Sequence, residues 1–333
     1  MLKACDEAYE AKADCVVTIG GGAIQDAGKL IRLWLSTRAA NEIKSGRDDN
    51  HDGEQMIKAT VKGIQAAQRQ DPMPTLPPQI ACPNSFAMAE LTHVAGITTT
   101  SKTKSGAAHT SLMPTVVVFD PALSNGLPDW VRFGTALRGV EHAVGALCHP
   151  LANEEIREQA SSGLSLIHQG LLCMVSDPES EEAQSQCYIG GWMAIRALND
   201  GCYPSVSHLI QNHYSARFDV HQGSCSGILC ARILHHHRRA SREHQKRISE
   251  ALGGGDVDDA DESSAPRLVS NLVAGLPGVS KEHAEENVTT EMLQIFADYE
   301  YDEHIDRLNA LSPELFKSRQ DIFDMLTFPL DEL

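Results

Sequence analysis

The beginning of the chain alternates between helical patterns and short apolar runs. Apolar positions over residues 3–13 recur at the spacing of a short amphipathic helix. Residues 15–19 form a continuous apolar run rich in β-branched side chains, which predicts a strand buried on both faces. Three glycines follow, and residues 23–36 then return to helical spacing. This order predicts a strand, a tight glycine turn and a helix.

Two more apolar runs, residues 79–82 and 115–119, predict further strands separated by helical segments. Short apolar strands that alternate with helices are typical of an α/β domain with a parallel sheet. From residue 129 onward helical spacing dominates, and runs of β-branched residues disappear. We therefore predict an α/β domain over residues 1–128 and an all-helical domain over residues 129–333.

Charge and composition narrow the classes of function. The 333 residues include 28 basic and 45 acidic ones, for a formal net charge of −17. Such a surface repels phosphate backbones, which argues against nucleic acid as a partner. The sequence has no apolar run of about 18 residues, the length that a transmembrane helix needs. Nine cysteines without a CxxC pair indicate free thiols in a reducing compartment, and we expect the cytoplasm.

The glycine turn is the first candidate for chemistry. A helix that begins directly after a strand and a glycine turn has unpaired backbone N–H groups at its N-terminus, where the helix dipole favours an anion. Glycine also lets a phosphate group approach the backbone closely. A strand-to-helix turn without a ligand is the alternative. The segment reads GGGAIQDAGK from Gly20, which is neither a P-loop nor a GxGxxG fingerprint.

Several segments resemble the iron-containing alcohol dehydrogenases, and among these the maleylacetate reductase branch. The pattern GGGxxxDxxK from Gly20 is similar to the nucleotide loop of that family. The other similar segments, in the same order and spacing, are PNSFAMAE from Pro83, VFDP from Val118, RGVEHAV from Arg138, SHLI from Ser207 and FDV from Phe218. The likeness is strong in the first half of the chain and weaker after residue 205.

The resemblance implies an N-terminal dinucleotide-binding domain, a C-terminal helical substrate domain (the dehydroquinate synthase-like arrangement), and NAD or NADP as cofactor. In the family, the glycine loop binds the cofactor pyrophosphate, and nearby polar residues contact the rest of the cofactor. The cofactor-binding residues implied in this way are Gly20, Gly21, Gly22, Asp26, Asn84 and Ser85. For Asn84 and Ser85, ordinary loop capping is the alternative.

The metal ligands of the family do not carry over to this chain. The family has an Asp and a His four positions apart on one helix, then a His, then another His fourteen positions later. Here Arg138 and His142 form the first pair, His208 matches the third position, and Gln222 stands at the last. Arginine cannot ligate a divalent metal, and the adjacent Glu141 is predicted to face elsewhere, about 100° around the helix. We therefore predict no metal, neither iron nor zinc.

Arg138 suggests a substrate that bears a carboxylate, because a guanidinium binds a carboxylate through two parallel hydrogen bonds. A local ion pair with Glu141 is the alternative. Histidine titrates near neutral pH, so His142 and His208 are predicted to donate the proton that a developing alkoxide needs. Lys104, or Lys102, stands where the family often has a lysine near the nicotinamide, with a solvated surface lysine as the alternative. The predicted catalytic residues are His142, His208, Arg138 and Lys104.

Two functions stay open. The first is an NAD(P)-dependent reductase that acts, without metal, on a carbonyl or activated alkene of a small acidic substrate. The second is a repurposed member of the family, acting as a cofactor-free lyase or isomerase or as an accessory protein in a specialised biosynthetic pathway. The early glycine turn favours the second, since the nucleotide domain is then expected to lack its first strands. A one-residue shift that brought His213 and His221 onto the metal positions would restore a metal site. As partners we predict a small-molecule substrate and a second copy of the chain, with neither nucleic acid nor membrane.

Overall fold

The structure, a computed structural model, describes residues 2–41, 75–98, 104–254, 262–312 and 315–333. The chain divides into two compact units, unit 1 (Met1–Leu123) and unit 2 (Ser124–Leu333). Unit 1 combines strands and helices, whereas the described part of unit 2 is helical. The predicted fold class, an α/β part followed by an all-helical part, is confirmed.

Unit 1 contains three parallel strands and one antiparallel hairpin among its described residues. Its helices and strands are α1 (Leu2–Glu10), β1 (Val16–Gly20), α2 (Gly22–Asn41), β2 (Gln79–Pro83), β3 (Val94–Thr98), β4 (Lys104–Ala108) and β5 (Val116–Val117). Strand β2 lies between β1 and β5, with Val17 opposite Ile80 and Ile80 opposite Val116. The three strands predicted from apolar runs are therefore the three strands of the parallel sheet. The hairpin of β3 and β4 was not predicted.

Helix α2 packs against both the parallel sheet and the hairpin. Its apolar face joins the hairpin in one buried cluster of Leu30, Leu33, Ala95, Ala107 and Leu112. Close approach to the sheet depends on Gly28, since a Cβ atom at this position would lie 2.4 Å from Thr18 Cγ2. The strand, the glycine turn and the helix thus form one tightly packed unit, which fixes where the N-terminus of α2 opens.

A buried lysine on α2 holds the segment that follows β2. The Lys29 ammonium is fully buried and donates to the carbonyl oxygens of Ala89 and Val94, each at 2.6 Å. It also lies 3.2 Å from Thr92 Oγ1 and 3.3 Å from the Asp26 carboxylate. Burial lowers the pKa of Lys29, while the Asp26 carboxylate opposes that shift. Lys29 therefore works as an internal brace between α2 and the start of the hairpin.

Nine α-helices make up the described part of unit 2. They are α3 (Asp129–Leu147), α4 (Glu154–Ser176), α5 (Glu181–Asn199), α6 (Val206–Phe218), α7 (Gln222–His237), α8 (Arg242–Ala251), α9 (Ser264–Ala274), α10 (Thr290–Leu311) and α11 (Arg319–Thr327). Side-chain oxygens that accept from a backbone N–H of the first turn cap the helices at Asn153, Ser180, Ser205, Thr289 and Ser318. Within the described residues, a membrane-spanning length of apolar helix is not found.

Helix α3 lies at the centre of unit 2 and packs against α4, α5, α6, α7 and α8. Fifteen of its nineteen residues are buried. Where α3 meets α7, a Cβ atom at Gly223 would lie 2.6 Å from Gly134 Cα, so two facing glycines allow the helices to touch. A helix buried on nearly all sides is expected to be apolar. The buried charges of Arg138 and Glu141 therefore make α3 the first candidate for the position of an active site.

Candidate active site

Four side chains that carry charge or titrate meet where α3 packs against α6. Arg138, Glu141 and His142 project from α3 within one helical turn, and His208 projects from the first turn of α6. The side chain of Ser205 caps α6 by accepting a hydrogen bond from the backbone N–H of His208 at 3.0 Å. The cap fixes where the helix begins and therefore where His208 points. We call Arg138, Glu141, His142 and His208 the Arg138 cluster.

The Glu141 carboxylate connects the members of the Arg138 cluster. Its Oε2 atom lies 3.2 Å from Arg138 Nη1 and 3.2 Å from His208 Nδ1. His142 Nδ1 lies 3.7 Å from the same oxygen, and the rings of His142 and His208 stack with centroids 5.0 Å apart. Arg138 Nη2 lies 3.0 Å from His208 Nδ1. The Nδ1 atom of His208 thus faces a potential acceptor and a potential donor at once.

The prediction that Glu141 faces away from the histidines is wrong. Neighbouring side chains on a helix do point about 100° apart. A residue from a second helix can nevertheless lie between them and contact both. Helix α6 packs against α3 on this side, and His208 comes within reach of both Arg138 and Glu141. The ion pair between Arg138 and Glu141, which the sequence left as an alternative, is present in the structure.

Arg138 is surrounded by protein side chains. Besides Glu141 and His208, its Nη1 atom donates to Gln211 Oε1 at 2.9 Å and to Ser226 Oγ at 3.4 Å. The residue is only 5 % exposed. A guanidinium buried in this way among protein side chains offers little surface to a substrate carboxylate. The structure therefore places Arg138 as a support for its neighbours, and the carboxylate clamp predicted from the sequence is not formed by this arrangement.

Three more polar residues lie around His208. The ring of Tyr203 meets the His208 ring edge-on with centroids 4.9 Å apart, and its hydroxyl hydrogen-bonds the side chain of Asn212. Gln222 Nε2 in turn donates to Asn212 Oδ1 at 2.9 Å. The sequence analysis did not single out Tyr203 or Asn212, and it considered Gln222 only as the residue at a metal position. Asn212 follows His208 by four positions, so helical spacing alone could have placed it on the same face.

Burial and charge shift the pKa values of the Arg138 cluster in definite directions. Burial disfavours the ionised form of Glu141, but Arg138, followed by His208 and His142, outweighs burial and holds the pKa of Glu141 well below its usual range. Burial lowers the pKa of His142 to about 3, with Glu141 opposing this shift and His208 and Arg138 adding to it. At neutral pH, Glu141 is therefore ionised and His142 is a neutral imidazole.

In unit 1, the glycine turn lies beside the two polar residues predicted with it. Gly20 has a φ of +149°, a conformation that favours glycine, and its carbonyl accepts from the Asn84 N–H at 3.3 Å. A Cβ atom at Gly21 would lie 3.3 Å from Ser85 Oγ and 3.9 Å from Asn84 Oδ1. Helix α2 begins at Gly22, so its N-terminus opens at the same point. The structure thus brings together five of the six predicted cofactor-binding residues.

The sixth, Asp26, has a different task. Its carboxylate accepts from the Gly96 N–H at 2.9 Å and contacts Lys29 Nζ at 3.3 Å. Asp26 therefore ties α2 to the hairpin. The backbone of Lys104 begins β4 opposite Thr98, whereas its side chain, and the whole of Lys102, lie outside the described residues.

The two histidines of the shifted metal hypothesis have other partners. His213 Nδ1 lies 2.8 Å from the Glu300 carboxylate. His221 Nδ1 accepts from the Gly223 N–H at 3.1 Å at the start of α7, and its ring meets Trp130 edge-on with centroids 4.9 Å apart. His221 thus serves as a helix cap, and His213 belongs to a separate group of side chains.

Two family models match the chain. The model of the C-terminal part of the Fe-containing alcohol dehydrogenase family matches residues 134–327, and the iron-containing alcohol dehydrogenase model matches residues 1–121. The chain belongs to the iron-containing alcohol dehydrogenase family. The resemblance inferred from the sequence motifs is confirmed.

Individual relatives in this family match most of the chain at low identity. The maleylacetate reductase of Burkholderia cepacia is 24 % identical over 276 residues, which cover 81 % of this chain and 63 % of the relative. The probable alcohol dehydrogenase EutG of Escherichia coli (strain K12) is 25 % identical over 283 residues, which cover 84 % and 65 %. The crystal structure of maleylacetate reductase from Rhizobium sp. strain MTP-10005 has a TM-score of 0.71 at 20 % identity and covers 97 % of this chain and 76 % of that one. This chain therefore has the family fold and spans less than two thirds of the length of both curated relatives.

The family name raises the question of whether the Arg138 cluster would hold a metal ion. Ligand atoms of Glu141, His142 and His208 lie within 4.8 Å of one another, a spacing that by itself suits a divalent ion. The Arg138 guanidinium, however, lies 3.2 Å from Glu141 and 3.0 Å from His208. A divalent cation about 4 Å from this charge would meet a repulsion of roughly 8 kcal/mol at an effective dielectric constant of about 20. The guanidinium therefore weighs against iron or zinc at the Arg138 cluster.

The glycine turn, by contrast, fits the pyrophosphate of a nicotinamide dinucleotide. Cβ atoms at Gly20, Gly21 and Gly22 would lie 2.9, 3.3 and 3.0 Å from neighbouring side chains. A side chain at Gly20 would collide with Ile24, and one at Gly21 or Gly22 would press against Ser85 or Ala87. The N-terminus of α2 adds backbone N–H groups and the positive end of the helix dipole, which favour a phosphate.

Proposed function

We propose that this protein is an NAD(P)H-dependent oxidoreductase that reduces a carbonyl or an activated alkene in a small acidic substrate without a metal ion. The observation behind the proposal is the Arg138 cluster, where a buried guanidinium and carboxylate hold His208 beside a neutral His142. Maleylacetate reductases and an alcohol dehydrogenase among the relatives support the class of reaction. The acidic nature of the substrate rests on the first of these names.

In this proposal, the cofactor pyrophosphate lies against Gly20, Gly21 and Gly22, with the side chains of Asn84 and Ser85 beside it. When bound, the nicotinamide supplies the hydride. The tasks left to the protein are to hold the substrate oxygen, to exclude water and to deliver one proton.

His208 is the proposed proton donor. When its imidazole is protonated, Nδ1–H donates to the ionised Glu141 carboxylate, and Nε2–H is the proton available to the substrate oxygen. After that proton leaves, the Nδ1–H bond to Glu141 keeps the ring in place, as a carboxylate does for histidine in hydrolytic triads. Arg138 can donate to Nδ1 only when that nitrogen carries no proton. Glu141 and Arg138 therefore compete for one nitrogen, and whether Nδ1 carries a proton decides between them.

His142 has a different role in the proposal. A neutral imidazole with a pKa of about 3 does not act as a charged acid near pH 7. It can still donate a hydrogen bond to the substrate oxygen through the ring nitrogen that carries its proton. Sequence reasoning had given His142 and His208 the same task. The different environments of the two rings support dividing it, with His208 as acid and His142 as a hydrogen-bond donor.

The test is to follow NADH and NADPH oxidation by the purified full chain. The substrates are small 2-oxo and unsaturated dicarboxylates, maleylacetate among them, with their uncharged esters as matched controls. We expect oxidation with at least one acid, slower oxidation with its ester, and no loss of the initial rate after brief treatment with EDTA.

Three results would contradict parts of this proposal. If EDTA abolished the rate without lowering Tm, and added Zn²⁺ or Fe²⁺ restored that rate, metal independence would be wrong. Equal rates for the acids and their esters would contradict the predicted preference for an acidic substrate. If calorimetry detected no binding of either cofactor, the cofactor-free lyase, isomerase or accessory function would replace the reductase.

A further inference from the structure

A second group of convergent side chains lies between α6 and α10. His213 comes from α6, while Glu300 and His304 stand four positions apart on α10 and so share one helical face. His213 Nδ1 lies 2.8 and 3.0 Å from the two carboxylate oxygens of Glu300. The rings of His213 and His304 lie 4.1 Å apart between centroids. One ligand atom from each residue lies within 4.8 Å of the other two. We call these three residues the His213 triad.

Charge around the His213 triad favours a cation. The Glu300 carboxylate is fully buried, and burial raises its pKa against the opposing effect of His213. His304 brings a second imidazole nitrogen within 4.8 Å of the ligand atoms of Glu300 and His213. Five of the nine residues from 298 to 306 are acidic. A cation among the three donors would offset the cost of burying the carboxylate.

The contrast with the Arg138 cluster is informative. There, a guanidinium lies within 3.2 Å of the carboxylate and repels a metal. At Glu300, the partner that opposes the burial shift is His213, a group that can itself ligate. Of the nearby cations, Arg307 acts on His304 from an exposed position. Arg217 lies over the Tyr299 ring, 5.5 Å from its centroid. Among the described residues, the Glu300 carboxylate has His213 and no guanidinium as its ion-pair partner, so the His213 triad has the ligand set without an arginine bound to its carboxylate.

The donor types select a class of metal. Two imidazoles and one carboxylate are typical ligands of Zn²⁺ and of neighbouring late first-row ions, which also accept a three-residue set with an open fourth position. His213 and His304 are partly exposed, which gives an ion a path to the site. Beside them, the Tyr299 hydroxyl lies 3.3 Å from His304 Nε2.

We propose that His213, Glu300 and His304 form a binding site for a divalent cation of the zinc class, which ties α6 to α10. The ion takes the place of the direct contact between His213 Nδ1 and the Glu300 carboxylate. His213 follows His208 on the same helix by five positions. The ion therefore stabilises the helix that positions His208 without entering the Arg138 cluster.

The experiment is a titration of the full chain, first freed of metal by dialysis, with Co²⁺ and then with Zn²⁺. We expect one Co²⁺ per chain, with the visible absorption of a four- or five-coordinate site, displacement of Co²⁺ by Zn²⁺, and a rise in Tm. His304→Ala should weaken binding at least about tenfold, because in metal sites even the loss of a residue that only hydrogen-bonds to a ligand lowers the affinity that much. Glu300→Gln, which keeps the side-chain shape, should weaken binding in the same direction.

His142→Gln is the matched control, because it removes a histidine from the other candidate group. It should bind Co²⁺ as the unsubstituted chain does. Circular dichroism of each variant without metal shows whether it is folded. If His304→Ala is unfolded, the Co²⁺ affinity of Glu300→Gln tests the proposal instead. Failure of Co²⁺ to bind or to raise Tm would overturn the proposal, as would binding that survives His304→Ala and disappears in His142→Gln. These measurements follow metal binding, so their outcome is independent of whether the proposed reductase activity is found.

Discussion

Lys29 in unit 1 and Arg138 in unit 2 are buried cations with different kinds of partner. In unit 1, the Lys29 ammonium donates to two backbone carbonyl oxygens, at Ala89 and Val94, at 2.6 Å each. In unit 2, the Arg138 guanidinium contacts Glu141 and His208, together with an amide and a hydroxyl, all of them side chains. Both charges are almost completely removed from solvent. The difference lies in what surrounds them.

The kind of partner distinguishes a structural role for Lys29 from a functional role for the Arg138 cluster. Lys29 has one partner that titrates, the Asp26 carboxylate, but that carboxylate also accepts from the Gly96 N–H and the other contacts are two backbone carbonyl oxygens and a hydroxyl, so the ammonium holds chain segments together. The side chains around Arg138 include a carboxylate and an imidazole, whose proton affinities depend on one another. Burial of a charge is common to structural and functional residues, whereas partners that titrate are what a proton-transfer site needs. Substitutions on each side of the comparison can show whether this distinction holds.

The largest effect is expected for His208→Asn. Asparagine keeps a hydrogen-bonding group near Glu141 but cannot deliver a proton, so the rate of substrate reduction should fall roughly 10²–10⁴-fold. Stability should change little, because the side chain remains polar and of similar reach. Steady-state kinetics and urea unfolding measure the two effects side by side.

His168→Asn is the control for that variant. His168 is a partly buried histidine on α4 and is not part of the Arg138 cluster. Its replacement should leave the rate unchanged. An equal loss of rate in both variants, or an undiminished rate in His208→Asn, would mean that His208 is not the proton donor.

Lys29→Met tests the other side of the comparison. The substitution keeps an unbranched side chain but leaves two buried carbonyl oxygens without their donor and Asp26 without its cation. The free energy of unfolding should fall by about 3–5 kcal/mol, as for other buried charges that lose a partner. Urea denaturation measures the loss. Lys3→Met, at a side chain 89 % exposed and paired with Glu7, is the matched control and should change stability by less than about 0.5 kcal/mol. A loss of similar size in the two variants would refute the brace.

Gly28→Ala tests the close approach of α2 to the sheet in unit 1. The added Cβ atom would lie 2.4 Å from Thr18 Cγ2 and 2.7 Å from Gln79 Nε2, so the helix must move. We expect a loss of about 1–3 kcal/mol in the free energy of unfolding. At Gly126, no atom of the described residues lies within 4 Å of the place that a Cβ atom would take, and Gly126→Ala should have little effect in the same assay. If Gly28→Ala were neutral, the packing of α2 on β1 would be looser than described.

The sequence predicted those parts of the fold that are encoded locally. The strands β1, β2 and β5 are short apolar runs, and the helices of unit 2 show their spacing. The hairpin of β3 and β4 escaped prediction because its strands read VAGIT and KSGAA, where small residues and glycine replace the alternation that signals a strand. Its cohesion comes from α2, through Lys29, Asp26 and the buried apolar cluster, which a scan along the chain does not detect.

In the candidate site, too, the residues in local motifs were predicted and the contacts between distant parts of the chain were not. Arg138, His142 and His208 were found by their place in family motifs, and the structure brings them together. Glu141 was dismissed because helical angles describe one helix alone. Its partner His208 stands 67 positions later on a different helix, and only packing reveals that the two meet. The carboxylate clamp at Arg138 failed for the same reason, since the partners of the guanidinium at Gln211 and Ser226 also come from distant parts of the chain.

The effect that is smallest near neutral pH concerns His142, and it separates the Arg138 cluster from the brace once more. The folded chain holds His142 neutral with a pKa of about 3, whereas the unfolded imidazole binds a proton near pH 6.5. Above about pH 6.5 both states are unprotonated and the residue adds no pH dependence. As the pH falls from 6.5 toward 3, the unfolded state gains the proton first, so unfolding becomes more favourable by up to about 1.4 kcal/mol per pH unit. In His142→Gln this contribution disappears, and its stability should fall less steeply in that window.

Lys29→Met should keep the slope of the unsubstituted chain, because no imidazole is lost. Urea unfolding of the three proteins at several pH values between 4 and 7 makes the comparison, and equal slopes for all three would show that the buried environment of His142 does not depress its pKa.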